Sequence, residues 1–204
     1  MRILLIRHGQ SESNVTAALD SQPPGAFLTE AGRAQAAELA IQLKDEPLEA
    51  IYVSGLARSQ QTAEPLADAH GLTPTIDQRF NEVSAGHMEG STEATHIGHY
   101  FDTVIAWFHG EMDRVLADAE SGSQALSRMS DALADIAESG AECAAVIGHG
   151  TLMSIWCAVN CEGLSGELVL ERQLVNTGVV VIEGKPGQWR ALSWMDTPIE
   201  DEAK

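Results

Sequence analysis

Lysine is almost missing from this 204-residue chain: Lys44, Lys185 and Lys204 are its three lysines, and lysine and arginine together number 12 against 30 Asp and Glu, for a formal charge of −18. A field of that sign repels DNA, RNA and anionic membranes, so neither nucleic acid nor a membrane surface is expected as a partner. It also opposes any phosphorylated ligand, so a phosphate site here has to gather its few cations in one place. The positions of the arginines are therefore informative. Long apolar runs are missing as well. Four consecutive aliphatics, Ile3 to Ile6, precede Arg7, too few for the hydrophobic region of a signal peptide or for a span of about 20 residues. Cysteine is scarce and odd in number. Cys143, Cys157 and Cys161 have no second cysteine pair or histidine run beside them to complete a tetrahedral metal pattern. Reduced thiols in a cytoplasm are the expectation, with Cys157 and Cys161, one helical turn apart, read as helix packing.

What is present is apolar residue enough, 44%, to bury one substantial core, and a single domain over 1–204 is expected. Arg2 to Ile6 reads as a buried strand that delivers Arg7, His8 and Gly9 at its end. After a loop containing Pro23, Pro24 and Gly25, Thr29 can cap a helix with Ala36, Leu39, Ala40 and Leu43 at helical spacing. Ala50 to Val53 is a second strand; Ser54 offers an N-cap to a helix with Ala63, Leu66 and Ala67 buried, ending near Gly71. The rhythm then breaks over 86–122, where Ile97, Phe101, Val104 and Phe108 recur at helical spacing with no clear strand, as in a helical insertion over the sheet. Leu126, Met129, Leu133, Ile136 and Ala137 mark a further amphipathic helix before the strand Cys143 to Ile147, at whose end stand Gly148, His149 and Gly150. Gly178 to Ile182 and Trp189 to Trp194 read as a hairpin around Gly184, Lys185, Pro186 and Gly187, and the acidic tail 196–204 as mobile. Alternating strands and helices predict an α/β sandwich with a largely parallel sheet.

In such folds ligands gather beyond the carboxyl ends of the strands, and here two of those ends carry histidines, His8 and His149, each beside glycine. A third end leads within one turn to Arg58. Singly, a loop histidine or a helix arginine is an ordinary surface residue; together at neighbouring strand ends they define a candidate site.

Leu4, Leu5, Ile6, Arg7, His8, Gly9, Gln10, Ser11 and Asn14 form an apolar strand followed by Arg-His-Gly, a Gln, a Ser and an Asn. Leu28, Thr29, Gly32 and Gln35 follow, then Val53, Ser54, Leu56, Arg58, Thr62 and Ala63, then Glu82 with Gly86, Glu89 and Gly90, and finally Gly148, His149 and Gly150. In this order the set resembles the histidine phosphatase superfamily, also called the phosphoglycerate mutase-like family. The chain departs from that pattern at Gly148, where a Ser is common, and at His87 and Met88, where an aromatic is frequent.

The resemblance implies a three-layer α/β sandwich of the phosphoglycerate mutase-like kind with a mostly parallel central sheet and a helical lid over the site. It implies catalysis by His8 as nucleophile with Arg7, Arg58, His149 and Glu82, and phosphate binding by Arg7, Asn14, Arg58 and protonated His149. That assignment suits the chemistry. A neutral imidazole can attack phosphorus, and guanidinium forks fit phosphate oxygens and keep their charge. A carboxylic acid at Glu82 can protonate the leaving alkoxide and then activate water. No metal or cofactor is required in this scheme.

Glu89 is read as a loop or capping carboxylate as readily as a helper of the acid, His87, His96, His99 and His109 as surface or substrate-shaping residues, and Trp107, Phe108 and Met112 as packing. The implied activity is a metal-independent phosphatase acting on a small phosphorylated metabolite. Phosphoglycerate mutase-type transfer is the alternative, and a noncatalytic phosphate-binding module the third reading. Sugar phosphates, phosphoglycerate derivatives and glucosyl-phosphoglycerate all stay open as substrates. Homodimers occur in the family, and no feature of the sequence marks an interface.

Overall fold

The computed structural model describes residues 1–199. Its central strand, β1 (Arg2–Arg7), holds Ile3, Leu4, Leu5 and Ile6 fully out of solvent. The cause is a neighbour on each edge and helices on each face. Ile3 and Leu5 join one apolar cluster, Leu4 and Ile6 the other, as the two-residue period of a strand dictates.

The remaining strands are β2 (Ala50–Val53), β3 (Thr75–Ile76), β4 (Cys143–Gly148), β5 (Cys161–Glu162), β6 (Val179–Lys185), β7 (Gln188–Trp194) and β8 (Thr197–Pro198). They lie in the order β3-β2-β4-β1-β6-β7-β5, with β8 on β7. The sheet is mixed. From β3 to β1 it is parallel, and beyond β1 the hairpin read from the sequence turns it antiparallel through β6 and β7, with β5 again parallel to β7.

The helices are α1 (Glu12–Thr16), α2 (Glu30–Gln42), α3 (Ala57–His70), α4 (Ala94–Phe108), α5 (Gly122–Glu138), α6 (Gly150–Asn160) and α7 (Gly166–Glu171). α2 and α3 cover one face through Leu39, Ala40, Ala63 and Leu66; α5 and α6 cover the other through Met129, Leu133, Leu152 and Trp156. This is the three-layer α/β arrangement. α4 belongs to the second layer through Tyr100, Val104 and Trp107. It is the helix expected within 86–122, and the rest of that segment is turns and loop apart from a short 3-10 turn at Gly86–Met88 and a bridge between Val115 and Ser121.

Three local expectations need correction. Thr29 caps α2 as read, accepting from Gly32 N at 3.0 Å, but α3 begins after Leu56 with no side-chain cap. Ser54, read as that cap, instead has its hydroxyl on a histidine. Cys161 is not a helical partner of Cys157: α6 ends at Asn160, and Cys161 opens β5. Asp196–Ile199, read as part of a mobile acidic tail, turn back onto the sheet. Thr197 and Pro198 pair with Trp194 and Ser193, Ile199 N donates to Leu192 O at 2.9 Å, and the Ile199 side chain packs on the core. Proline is tolerated there because β8 is an edge strand. The part of that tail beyond Ile199 lies outside the described residues.

Candidate active site

The register of the parallel strands sets the site. Arg7 pairs with Gly148 and Val53 with Ile147, so the residues that follow, His8, His149 and Ser54, emerge side by side at adjacent carboxyl ends. His8 N donates to Gly148 O at 3.0 Å and Ser54 N to Ile147 O at 3.0 Å, which extends the ladder one residue past the strands. The His8 and His149 rings lie 5.1 Å apart, centroid to centroid, at 59°. Arg58 enters from the first turn of α3 and is 3% exposed. Glu82 comes from the loop between β3 and α4, and Arg7 is the last residue of β1. Arg7, His8, Arg58, Glu82 and Asn14 line one cavity of about 610 Å³. His149, fully buried, lies behind Arg58 and His8.

His8 is held as a neutral imidazole. Its Nδ1 is 2.6 Å from Gly9 O, which accepts the ring N–H, and its Nε2 accepts from Arg58 Nε at 3.0 Å. Burial, then the adjacent Arg58 charge, then Arg7, push its pKa well below the usual histidine value, and the Gly9 contact only partly opposes them. The Nε2 lone pair that could attack phosphorus is therefore unprotonated, and it is occupied by the Arg58 N–H, which has to turn to the phosphate before attack.

His149 was expected as a protonated third cation toward the transferring group, and its surroundings in the structure favour the neutral ring. It is buried, and burial followed by Arg58 and His8 lowers its pKa well below the ordinary value. The hydrogen bonds fix the tautomer: Nδ1 faces the donor Arg58 Nη2 at 3.2 Å, so it accepts, and Nε2–H donates to Ser54 Oγ at 2.8 Å. Ser54 also accepts from Leu56 N at 3.3 Å.

Arg58 uses every edge of its fork. Nη1 donates to Asp20 Oδ2 at 2.9 Å and Nη2 to Asp20 O at 2.7 Å, while Nε holds His8. Burial lowers its pKa, and Asp20 and Glu82 counter that. Asp20 is itself fixed by Ala26 N at 2.9 Å. Arg7 donates through Nη1 to Leu174 O at 2.6 Å, but its Nε is buried and has no partner. Gly150 makes the placement of Arg7 feasible, because a Cβ there would sit 3.1 Å from Arg7 Nε.

Glu82 sits against the start of α6. Its Oε1 accepts from Val83 N at 2.8 Å and Leu152 N at 2.9 Å, and its Oε2 from Thr151 N at 3.0 Å. Arg128 holds the loop that carries it, donating to Arg79 O and Asn81 O at 2.7 Å and to Glu82 O at 3.3 Å while paired with Glu120. Asn14 is at the cavity mouth; its Oδ1 accepts from Ser11 N in a capping box and from Asn176 Nδ2 at 3.1 Å. Asn176 also donates to His8 O at 3.0 Å.

Glu89 clamps the loop bearing Asp20, accepting from Ser21 N at 2.8 Å and Gln22 N at 3.0 Å and from Ser21 Oγ. Phe108 and Met112 pack against the core as read and Trp107 is core, while Phe108 also lines the cavity together with Phe101. The insertion histidines do not line the cavity. His96 bonds Ser91 Oγ and His87 faces Asp118 at 3.4 Å, and among the described residues no group of His, Cys, Asp or Glu is placed to hold a metal. At the departure at Gly148, a Cβ would lie 2.9 Å from Met153 Cε, so Met153 fills the space a serine would use.

Sequence reasoning missed Asp20, Asn176 and Arg128, which act through other site residues. None carries a periodic or strand-end signal. No helix among the described residues is long and apolar enough to cross a membrane.

Comparison with known proteins agrees with this geometry. Residues 3–197 match the profile described as "Histidine phosphatase superfamily (branch 1)". Over 217 residues the chain is 30% identical to "PE-PGRS family protein PE_PGRS11" of Mycobacterium tuberculosis, covering 95% of this chain but 36% of that longer protein. It is 27% identical over 202 residues to "Probable phosphoglycerate mutase GpmB" of an Enterobacter species, covering 96% of this chain and 90% of that one. Among solved structures, a mycobacterial glucosyl-3-phosphoglycerate phosphatase complexed with VO3 superposes with a TM-score of 0.81 at 25% identity, over 95% of this chain and 98% of the other.

Proposed function

Because the chain belongs to branch 1 of the histidine phosphatase superfamily, we propose that it is a metal-independent phosphatase that hydrolyses a small phosphomonoester through a phosphohistidine on His8. The observation that carries this reading is the neutral His8, its Nδ1–H fixed on Gly9 O and its Nε2 beside the Arg58 fork. That is a nucleophile with its proton already elsewhere.

In the first step Nε2 of His8 attacks phosphorus and the ester P–O bond breaks. The leaving oxygen takes a proton from Glu82 in its acid form. Arg7, on the cavity wall, and Arg58, turning from Nε2 of His8 to the phosphate, carry the charge of the transferring group. Asn14 adds a hydrogen bond at the mouth. The dianion is the charge that lets His149 take up the proton it lacks in the buried, neutral arrangement. In the second step water attacks the phosphohistidine, Glu82 accepts its proton, the P–N bond breaks, and inorganic phosphate leaves with His8 neutral again. The solved mycobacterial relative is a phosphatase complexed with VO3, an oxyanion of vanadium, which is in keeping with an anion-binding fold.

A second reading, return of the phosphoryl group to a bound hydroxy acid, is favoured by the likeness to the Enterobacter protein. Incubation with p-nitrophenyl phosphate and with 3-phosphoglycerate in EDTA separates the two. Phosphate release, an acid-labile phosphoenzyme, and loss of more than about a thousandfold of the activity in His8→Ala are expected. Isomerisation of 3-phosphoglycerate without release selects the mutase. No turnover and no phosphoenzyme, or full activity in His8→Ala, overturns the proposal.

A further inference from the structure

Away from the phosphate end the cavity changes character. Its apolar wall consists of Phe101, Val104, Ile105 and Phe108 from α4 with Leu170 from α7, and Leu174, just after α7, takes the Arg7 guanidinium on its carbonyl. Phe101 and Ile105, one helical turn apart, remain 48% and 40% exposed while lining the cavity. An apolar surface continuous with a binding site, and left open to water, is a surface that a ligand can cover with gain.

The charges say what such a ligand can carry. Among the described residues the charged side chains lining the cavity are Arg7, Arg58, Asp20 and Glu82, all at the phosphate end. Arg58 is held by Asp20 and His8 and Arg7 by Leu174 O, and these two guanidiniums are the cavity's cations for the phosphate. Beyond Arg7 and Arg58, no cationic side chain among the described residues lines the cavity. A carboxylate on the alcohol half would lose water there without a partner, inside a protein of charge −18. The volume of about 610 Å³ is that of a pocket for a molecule well beyond glycerate in size.

We propose that the alcohol half of the substrate is uncharged and apolar, an aromatic or bulky aliphatic group seated on the α4 wall, and that hydroxy-acid phosphates are poor substrates. This rests on the phosphatase reading for the position of the phosphate. In that orientation the ester oxygen faces Glu82 and the group bonded to it runs along α4, so Phe101, Ile105 and Phe108 set specificity without touching the reacting atoms.

The test compares three monophosphates of primary alcohols: benzyl phosphate, glycerol 1-phosphate and 3-phosphoglycerate. Benzyl phosphate should lead 3-phosphoglycerate in kcat/KM by about tenfold or more, the gain expected for burying a ring's apolar area, and mostly in KM. Phe101→Ala should lower kcat/KM for benzyl phosphate several-fold more than for glycerol 1-phosphate and so remove most of that lead, and Phe101→Arg should raise 3-phosphoglycerate relative to benzyl phosphate. A preference for 3-phosphoglycerate, or an equal loss on all three esters in Phe101→Ala, overturns the inference. Calorimetric titration of the three esters into His8→Ala reads the cavity without turnover. The same order of affinities in a protein that hydrolyses none of the esters would uphold the apolar wall and defeat the phosphatase. Hydrolysis with the reverse order of affinities would do the opposite.

Discussion

The two ends of the cavity are built on different rules. At the phosphate end the buried polar groups are nearly all paired: His8 on Gly9 and Arg58, His149 on Ser54 and Arg58, Arg58 on Asp20, and Glu82 on three backbone amides. The orphan is Arg7 Nε. Buried polar groups are costly unless paired, so each bond constrains the next and one arrangement survives. The α4 end is held by packing, with Tyr100 Oη to Val83 O at 3.3 Å as a polar tie back to the Glu82 loop. Apolar walls need shape rather than direction, and many side chains supply shape. The comparison teaches that chemistry here is over-determined and specificity is not: substitutions at one end should destroy function, at the other redirect it.

The strongest way to sharpen this contrast is Glu82→Gln. The amide keeps the size and an acceptor for Val83 or Leu152, and removes the transferable proton. We expect kcat for benzyl phosphate to fall by about 10² to 10⁴ with KM changed by less than about threefold. With p-nitrophenyl phosphate, whose leaving group needs no proton, the fall should be markedly smaller. Equal losses on both esters would remove Glu82 from proton transfer.

Asp20→Asn should act next most strongly. Asp20 turns the Arg58 fork toward His8 and offsets its buried charge, and the amide keeps the shape while losing the charge-assisted bond. A fall of about tenfold in kcat/KM is expected, with kcat affected as well as KM. A gain instead would mean that Asp20 competes with phosphate for Arg58, and the phosphate end would then be less pre-organised than its hydrogen bonds suggest.

The pH dependence of stability gives a smaller signal. His8 and His149 both have folded pKa values well below the ordinary 6.5. The unfolded chain therefore binds more protons than the fold once pH drops below about 6.5, and stability must rise with pH through that window and be lost as pH falls. In His149→Gln, where the amide can still donate to Ser54 and accept from Arg58, one of the two contributions is gone. The difference in Tm between wild type and variant should shrink as pH is lowered from 7.5 to 5. A constant difference would show that His149 binds protons alike in the folded and unfolded chain, and a difference that widens as pH falls would show that it is protonated in the fold.

The sequence made the first end far more legible than the second. Four aliphatics ending in Arg-His-Gly, and Cys143 to Ile147 ending in Gly-His-Gly, signal strand ends at which two histidines can meet. Register then does the rest, since Arg7 beside Gly148 forces His8 beside His149. The supporting residues were not legible for identifiable reasons. A serine before a helix looks the same whether it caps α3 or, as Ser54 does, takes the proton of His149. Asp20 sits in a loop with no period. Phe101 and Phe108 recur at helical spacing whether that face meets a core or a cavity, so pattern alone assigned Phe108 to packing. β3, β5 and β8, two residues each, are too short to show alternation, and the acidic residues around Thr197 and Pro198 hid the last of them.

The smallest effect, and the most direct comparison of the two ends, is in stability alone. Ser54→Ala leaves the buried Nε2–H of His149 with Ser59 Oγ at 3.4 Å as its nearest replacement, and an unpaired buried donor costs about 1–3 kcal/mol. For a chain of this length that is a fall in Tm of roughly 2–4 °C per kcal/mol. Phe101→Ala removes a far larger group, but one that is 48% exposed and touches Tyr100 edge-on at 5.4 Å. Its cost should stay below about 1 kcal/mol, as for exposed positions generally. Losing one hydroxyl at the phosphate end should therefore lower Tm more than losing a whole ring at the other. The reverse order in a pair of melting curves would mean that the α4 wall is held as tightly as the histidines, and that the chain has fixed its substrate as firmly as its chemistry.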